Sequence, residues 1–227
     1  MKFAYQDVAA RSPGAPAVIL HREGMKTIDE PIGVALACAG VGRVVAPYGD
    51  YASYPSGMEV GGICWYRVLP GFAGTDPISL ATAVVQVCDL LDDLDLDQPV
   101  LIGWGQGGVV AVGAALLRAA HVGSVVSVDT PPGHLELLPA RALSSHAGAT
   151  EAGPPILLAA TDPAAGPTLH QQEGVLGGRG TALSTWCWSA DGSAAERDKA
   201  VAERIGEWLE DGSGGGSNMT SAQGERR

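Results

Sequence analysis

Residues 99–120 read PVLIGWGQGGVVAVGAALLRAA, and this stretch lays down three elements in a row. Val100, Leu101 and Ile102 form a short apolar strand with Pro99 at its entry. A glycine-dense turn follows, Gly103-Trp104-Gly105-Gln106-Gly107. From Gly107 onward small and apolar residues continue without a breaker, the composition of a helix packed on a sheet.

The neighbours of this unit repeat its logic. Upstream, Asp76-Pro77 opens a helix, an N-cap acceptor followed by proline in the first turn. Ile78, Ala81, Val84, Val85, Cys88, Leu91 and Leu94 recur there at helical spacing. The run Asp92, Asp93, Asp95, Asp97 then has alternating carboxylates, but it lacks the glycine and distal glutamate of a calcium loop and reads as a solvated turn. Further upstream, residues 17–20 make a strand, 31–39 a helix with Asp29 or Glu30 near its start, and 43–46 another strand. Residues 48–75, rich in Gly, Pro, Tyr and Ser, read as a long loop beside a binding hollow. Downstream, strands are expected at 124–129, 156–160 and 183–188, and a last helix at 193–209. Strands alternating with helices imply a three-layer α/β fold, a mostly parallel central sheet with helices on both faces. Residues 1–211 are read as one domain. Residues 212–227, GSGGGSNMTSAQGERR, cannot build a core and read as a disordered tail.

Composition narrows the partners. The chain of 227 residues carries a net charge of −11, with 46% hydrophobic and 17% charged residues. It can bury a core, and its acidity argues against nucleic acid, whose phosphates demand a basic surface. No run of about 18 apolar residues suits a membrane span, and the N-terminus lacks the apolar core of a signal peptide, so a cytoplasmic protein is expected. Few lysines beside many Arg, Ala and Gly suggest a GC-rich, bacterial genome. Cys38, Cys64, Cys88 and Cys187 form no CxxC pair and read as reduced thiols. No metal site and no cofactor are expected. The oligomeric state is open, a homodimer included.

The turn at 103–107 has the frame of a nucleophile elbow, GxSxG, with Gly105 where the serine would stand. An elbow holds its nucleophile at a helix head, where free backbone N–H groups meet an oxyanion. Gly105 suits the strained backbone of such a turn but has no attacking atom.

Two further motifs precede it, and the turn itself completes a third. Leu20-His21-Arg22-Glu23-Gly24 follows the first core strand as an LHGxG turn does, with arginine inside the turn. Gly61-Gly62-Ile63-Cys64-Trp65-Tyr66 is a glycine-aromatic segment, and Gly103-Trp104-Gly105-Gln106-Gly107-Gly108 looks like GFSQGG with one letter changed. Over about residues 16–210 the chain resembles the bacterial phospholipase/carboxylesterase family of α/β-hydrolases, relatives of the acyl-protein thioesterases. The resemblance implies a serine, an acid and a histidine in that chain order. Asp162, followed by Pro163 and Pro167, matches the acid. Ser193 stands where the histidine belongs and starts a capping box with Glu196. His170, the one histidine after Asp162, would need a different geometry to serve as base. Backbone N–H groups near Arg22 and Gln106 would form the oxyanion hollow, walled by Trp65, Tyr66 and Trp104. His21 stands behind the turn in a structural role, and His121, His134 and His146 read as surface residues.

With nucleophile and base both replaced, the expected function is binding of a small acyl-type ligand or a partner without ester turnover. One alternative is an active carboxylic-ester hydrolase with a non-standard nucleophile. Another is dinucleotide binding, since Gly103, Gly105 and Gly108 spell GxGxxG after a strand, with Asp129 about 20 residues on to meet a ribose hydroxyl.

Overall fold

Alternation along the central strands sets the layers. The structure is a computed structural model that describes residues 4–8, 14–53, 62–69, 74–131, 133–138, 153–177, 181–188 and 192–211. Its strands are β1 (Tyr5–Val8), β2 (Ala15–Leu20), β3 (Val41–Pro47), β4 (Tyr51–Ser53), β5 (Gly62–Cys64), β6 (Val68–Leu69), β7 (Gly74–Thr75), β8 (Val100–Trp104), β9 (Ser124–Val128), β10 (Gly153–Ala160) and β11 (Thr181–Cys187). Its α-helices are α1 (Asp29–Ala37), α2 (Pro77–Leu94), α3 (Gln106–Leu117), α4 (Gly166–Leu176) and α5 (Ala194–Glu210).

Seven strands form one sheet in the order β1-β3-β2-β8-β9-β10-β11, parallel throughout except for β1, which runs antiparallel to β3. Successive side chains of a strand point to opposite faces. Val18, Leu20, Leu101, Val125, Ile156 and Leu158 therefore pack against α2, α3 and α4, while Ala17, Ile19, Val100, Ile102, Val126 and Leu157 pack against α1 and α5. This is the expected three-layer α/β arrangement, with the elbow stretch on the middle strand. Full burial of each Val, Leu or Ile contributes about 1.5–3 kcal/mol.

Several boundaries differ from the sequence reading. It does not anticipate β1, and α1 begins two residues earlier than expected. Residues 48–75 contain two small antiparallel pairs, β4 with β5 and β6 with β7. On α2 the Asp76 side chain accepts the Ile78 N–H, as a cap should, but Ile78 is 75% and Val85 50% exposed. The buried stripe runs instead through Leu80, Ala83, Val84, Val87, Cys88 and Leu91. Ile78 and Val85, seven apart, share the opposite face at 3.6 residues per turn. Asp92, Asp93 and Asp97 are exposed, and Asp95 ends α2 in the left-handed region at φ 48°. Residues 212–227 and His146 lie outside the described residues.

No helix among the described residues is long and apolar enough to cross a membrane. The four cysteines are free thiols, and burial pushes Cys38 up to about 12 and Cys88 to about 11.

Candidate functional site

The turn between β8 and α3 positions everything here. Gly105 caps α3 at φ 54° and ψ −121°, in the left-handed half of backbone space that disfavours a side chain. Its N–H donates to the Val128 carbonyl, so the turn is pinned to β9. Close approach of helix and strands demands the adjacent glycines. A methyl group on Gly107 would overlap the Leu20 carbonyl, one on Gly103 the Gly107 carbonyl, and one on Gly108 would lie 2.5 Å from the Ser127 and Thr130 hydroxyls.

The group facing Gly105 is one the sequence reading does not single out. Glu23, from the turn after β2, sends its carboxylate over the head of α3, where Oε2 accepts the Gln106 N–H at 3.0 Å. A Cβ on residue 105 would lie 2.5 Å from that oxygen and 3.1 Å from Arg22 Cβ. A carboxylate thus occupies the space next to the elbow and holds the backbone donor that would meet an oxyanion. Negative charge at a helix N-terminus is favourable, typically by about 0.3–1 kcal/mol. The signal in the sequence is an acidic residue inside the LHGxG-like turn.

The side chains around the turn are spent on internal bonds. Gln106 is buried, its Oε1 accepting the N–H groups of Trp65 at 3.0 Å and Tyr66 at 3.3 Å while Nε2 donates to the Tyr66 carbonyl at 3.2 Å. His21 is fully buried and stacks on Trp65. Its Nε2 accepts the Gly49 N–H at 2.9 Å, so the proton sits on Nδ1 and is donated to the Arg22 carbonyl at 2.7 Å. The Trp65 indole N–H donates to the His21 carbonyl at 2.7 Å.

These positions correct the aromatic hollow. Trp65 and Tyr66 are buried in the core beneath α2 and α3, whereas Trp104 packs half-buried on the α1 and α5 side. Trp104 lies on the opposite face of the sheet from Trp65 and Tyr66, so the three do not wall one space. His134 is likewise not a surface residue. It is half-buried, sharing hydrogen bonds with the Tyr66 hydroxyl at 2.8 Å and with the Thr75 hydroxyl at 3.3 Å.

Asp162 stands at the end of β10, two strands from β8 on the same carboxyl edge of the sheet. It is exposed, and its Oδ1 accepts the Ala164 N–H at 2.9 Å. Ser193 caps α5 in the expected capping box, its N–H and hydroxyl both donating to Glu196. His170 lies within α4 and pairs with Glu173 on the exposed surface, and His121 is exposed as well.

A cavity of about 370 Å³ opens at the ends of β9 and β10 beside α4, lined among others by Asp129, Thr161, Asp162, Ala160, Leu169 and Gln172. Asp129, at φ 49°, turns its carboxylate onto Thr161, accepting the backbone N–H at 2.7 Å and the hydroxyl at 2.6 Å. These contacts weigh against the dinucleotide alternative. The pyrophosphate position at the head of α3 is filled by the Glu23 carboxylate, Gly103 and Gly107 serve backbone packing, and Asp129 is engaged with Thr161. Among the described residues no group of three or more His, Cys, Asp or Glu could hold a metal ion.

Burial lowers the pKa of both His21 and His134 below the ordinary value of 6.5, with Glu23 opposing the shift in each case. The folded state therefore prefers both rings neutral, and their contribution to stability is complete above pH 6.5 and shrinks as the pH falls below it. Thermal melting between pH 7.5 and 5 should show a falling midpoint before the carboxylates titrate. His134→Gln, which cannot charge, should flatten part of that fall. An unchanged slope would show that His134 contributes none of it.

No protein-family model matches the chain, and no curated protein matches it in sequence. Solved structures do. A carboxylesterase from Mesorhizobium loti superposes with a TM-score of 0.69 at 18% identity, covering 92% of this chain and 94% of that one. The Bacillus cereus carboxylesterase gives 0.62 at 16% identity, with 92% and 94% covered. Acyl-protein thioesterase 2 of Zea mays gives 0.60 at 15% identity, with 93% and 100% covered. The chain has the α/β-hydrolase fold, and at the level of fold it is related to carboxylesterases and thioesterases.

Proposed function

We propose that this α/β-hydrolase-fold protein has lost ester hydrolysis and works by binding a small ligand or a partner. The observation that carries the reading is the Glu23 carboxylate beside Gly105 on the Gln106 N–H. Acyl transfer in this fold needs an attacking oxygen at the elbow, a base to take its proton and a free donor for the developing oxyanion. Gly105 supplies no oxygen, Ser193 at the base position supplies no imidazole, and the donor is taken. Asp162 is then the remnant of the acid, with nothing to orient. An acyl-type ligand would reach the Gln106 N–H by displacing Glu23. A cytoplasmic, reducing setting accords with the four free thiols.

The purified protein should hydrolyse p-nitrophenyl acetate and butyrate no faster than its Asp162→Ala variant. Loss of the acid from a working triad lowers turnover by orders of magnitude, so a live site would separate the two proteins clearly. Robust wild-type turnover abolished by a serine-reactive phosphonate would overturn the reading and point to another serine as nucleophile.

A further inference from the structure

The two edges of the seven-stranded sheet are built differently. Edge strand β1 has four residues, and its Asp7 carboxylate takes the Arg43 fork, so that edge is short and charged. Edge strand β11, at the other end, has seven residues, TALSTWC, with no charge and no proline. An open edge offers a row of N–H and C=O groups to any passing strand, and natural sheets blunt it with charge, proline, a bulge or shortness. β11 carries none of these. The register shift beside it belongs to β10, which has the extra residue between Gly153 and Ile156.

The ladder shows which groups face outward. The Trp188 N–H donates to the Ala160 carbonyl at 2.8 Å, so the main-chain groups of Trp188 point toward β10. Main-chain groups alternate sides along a strand. Those of Ser184 and Trp186 therefore also face β10, and those of Leu183 and Thr185 face away from the sheet. Outside the ladders, no backbone hydrogen bond among the described residues involves Leu183 or Thr185. None of the seven residues of β11 is buried, whereas all five of β9 are.

We propose that β11 is the contact of a two-fold homodimer, in which two copies pair their β11 strands antiparallel and join their sheets into one. An axis at Ser184 sets Leu183 opposite Thr185 of the second copy, and Thr185 opposite its Leu183. Both residues have outward main-chain groups, as a hydrogen-bonded antiparallel pair requires. Ser184 then faces Ser184 of the second copy, and Ala182 faces its Trp186, a small side chain beside a large one at the closer, non-hydrogen-bonded positions. Charge favours a second copy on this edge. In a chain of net charge −11, β11 brings no like charges together. The helix over Ser184 is α5, whose Trp208 indole donates to the Ser184 hydroxyl at 3.3 Å, and it carries Arg197, Lys199 and Arg204 among its acids. The contact is self-complementary and uses β11 of each copy, so it closes at two chains, and the short, charged β1 edges do not extend it. β8 lies three strands inward, which leaves the elbow open and makes the dimer independent of its chemistry.

Sedimentation equilibrium of the full chain at micromolar concentration tests the proposal. The wild type should be a dimer. Thr185→Pro removes an N–H that β10 does not use, and proline is tolerated on edge strands, so this variant should keep the wild-type circular dichroism and sediment as a monomer. Ala182→Glu, at an exposed position, sets a carboxylate against Trp186 of the second copy and should weaken the dimer about tenfold or more. Ser184→Cys places two thiols across the axis with Cα atoms about 4.5 Å apart, within disulfide reach, so mild oxidation should give a covalent dimer that the wild type does not give. A monomeric wild type overturns the proposal, and slow hydrogen exchange at the Thr185 amide of that monomer would show that a segment of the same chain covers the edge. A dimer indifferent to both Thr185→Pro and Ala182→Glu overturns it as well, as does a Ser184→Cys variant that cross-links no better than wild type. Should Thr185→Pro fail to fold, Ala182→Glu and the cross-link decide.

Discussion

Gly107→Ala should leave the chain largely unfolded under conditions where the wild type is native. The first turn of α3 is pressed against β2 so closely that the new methyl group would overlap the carbonyl of Leu20 and approach the His21 carbonyl oxygen to 2.6 Å. Both obstacles are backbone. A flexible side chain could rotate away, but Leu20 is held in register with Gly103 in the parallel pairing of β2 and β8. Relief then means separating the two strands at the centre of the sheet or lifting a helix whose residues from Gln106 to Leu116 are all buried. Overpacking usually costs about 1–3 kcal/mol. With rigid atoms on both sides the cost here should exceed about 4 kcal/mol, out of a total of about 5–15 kcal/mol for a domain. Gly33→Ala is the control, because Gly33 lies inside α1 with nothing within 4 Å of the added methyl. It should be neutral or stabilise by up to about 1 kcal/mol. Urea denaturation followed by circular dichroism reads both. A Gly107→Ala midpoint within error of wild type would mean that α3 does not lie so close to β2.

The same glycines show how far the sequence can be read. An apolar run, a glycine cluster and another apolar run spell the order of β8, turn and α3 because burial on both sides forces that composition on a central strand and its helix. The caps are legible for a similar reason. Asp76 before proline, and Ser193 three residues before Glu196, are local hydrogen-bonding patterns that need no tertiary information. What stays hidden is long-range. β1 pairs with the open edge of β3, where Arg43 forks onto Asp7 with bonds of 3.0 and 2.7 Å. Four residues of mixed polarity carry no such signal. On α2 two apolar stripes compete, and only the position of α3 decides that Ile78 and Val85 face outward. The aromatic hollow fails because spacing along the chain does not say which side of the sheet a tryptophan takes. Glu23 is visible as an acidic residue in its turn, but what it touches is not. Its role depends on a turn after β2 meeting a helix 83 residues further on.

Glu23 also governs what should follow from rebuilding an elbow. Gly105→Ser with Ser193→His restores an oxygen and an imidazole at the positions the family resemblance assigns, yet esterase activity should stay low in that double variant. Adding Glu23→Gly should raise it by about 10²–10³-fold in kcat, the amount commonly lost when one oxyanion donor is removed. In the double variant the carboxylate still competes for the Gln106 N–H, and a new Cβ at residue 105 would stand 2.5 Å from its oxygen. The new side chain and the glutamate cannot both keep their places. Glu23 is a surface side chain and can swing, but in swinging it leaves a negative charge beside the point where the tetrahedral oxyanion must gather its own. Like charges there raise the barrier whatever the quality of the triad. The Gly105→Ser change itself carries a cost, about 1–3 kcal/mol, for a side chain at φ 54°. Melting of the Gly105→Ser single variant measures that cost separately. Turnover of p-nitrophenyl butyrate by the double and triple variants, with phosphonate labelling of the introduced serine as a check on access, decides the matter. Equal rates in the two would show that the Glu23 carboxylate does not obstruct the site, and that the proposed loss of activity rests wholly on the missing nucleophile and base.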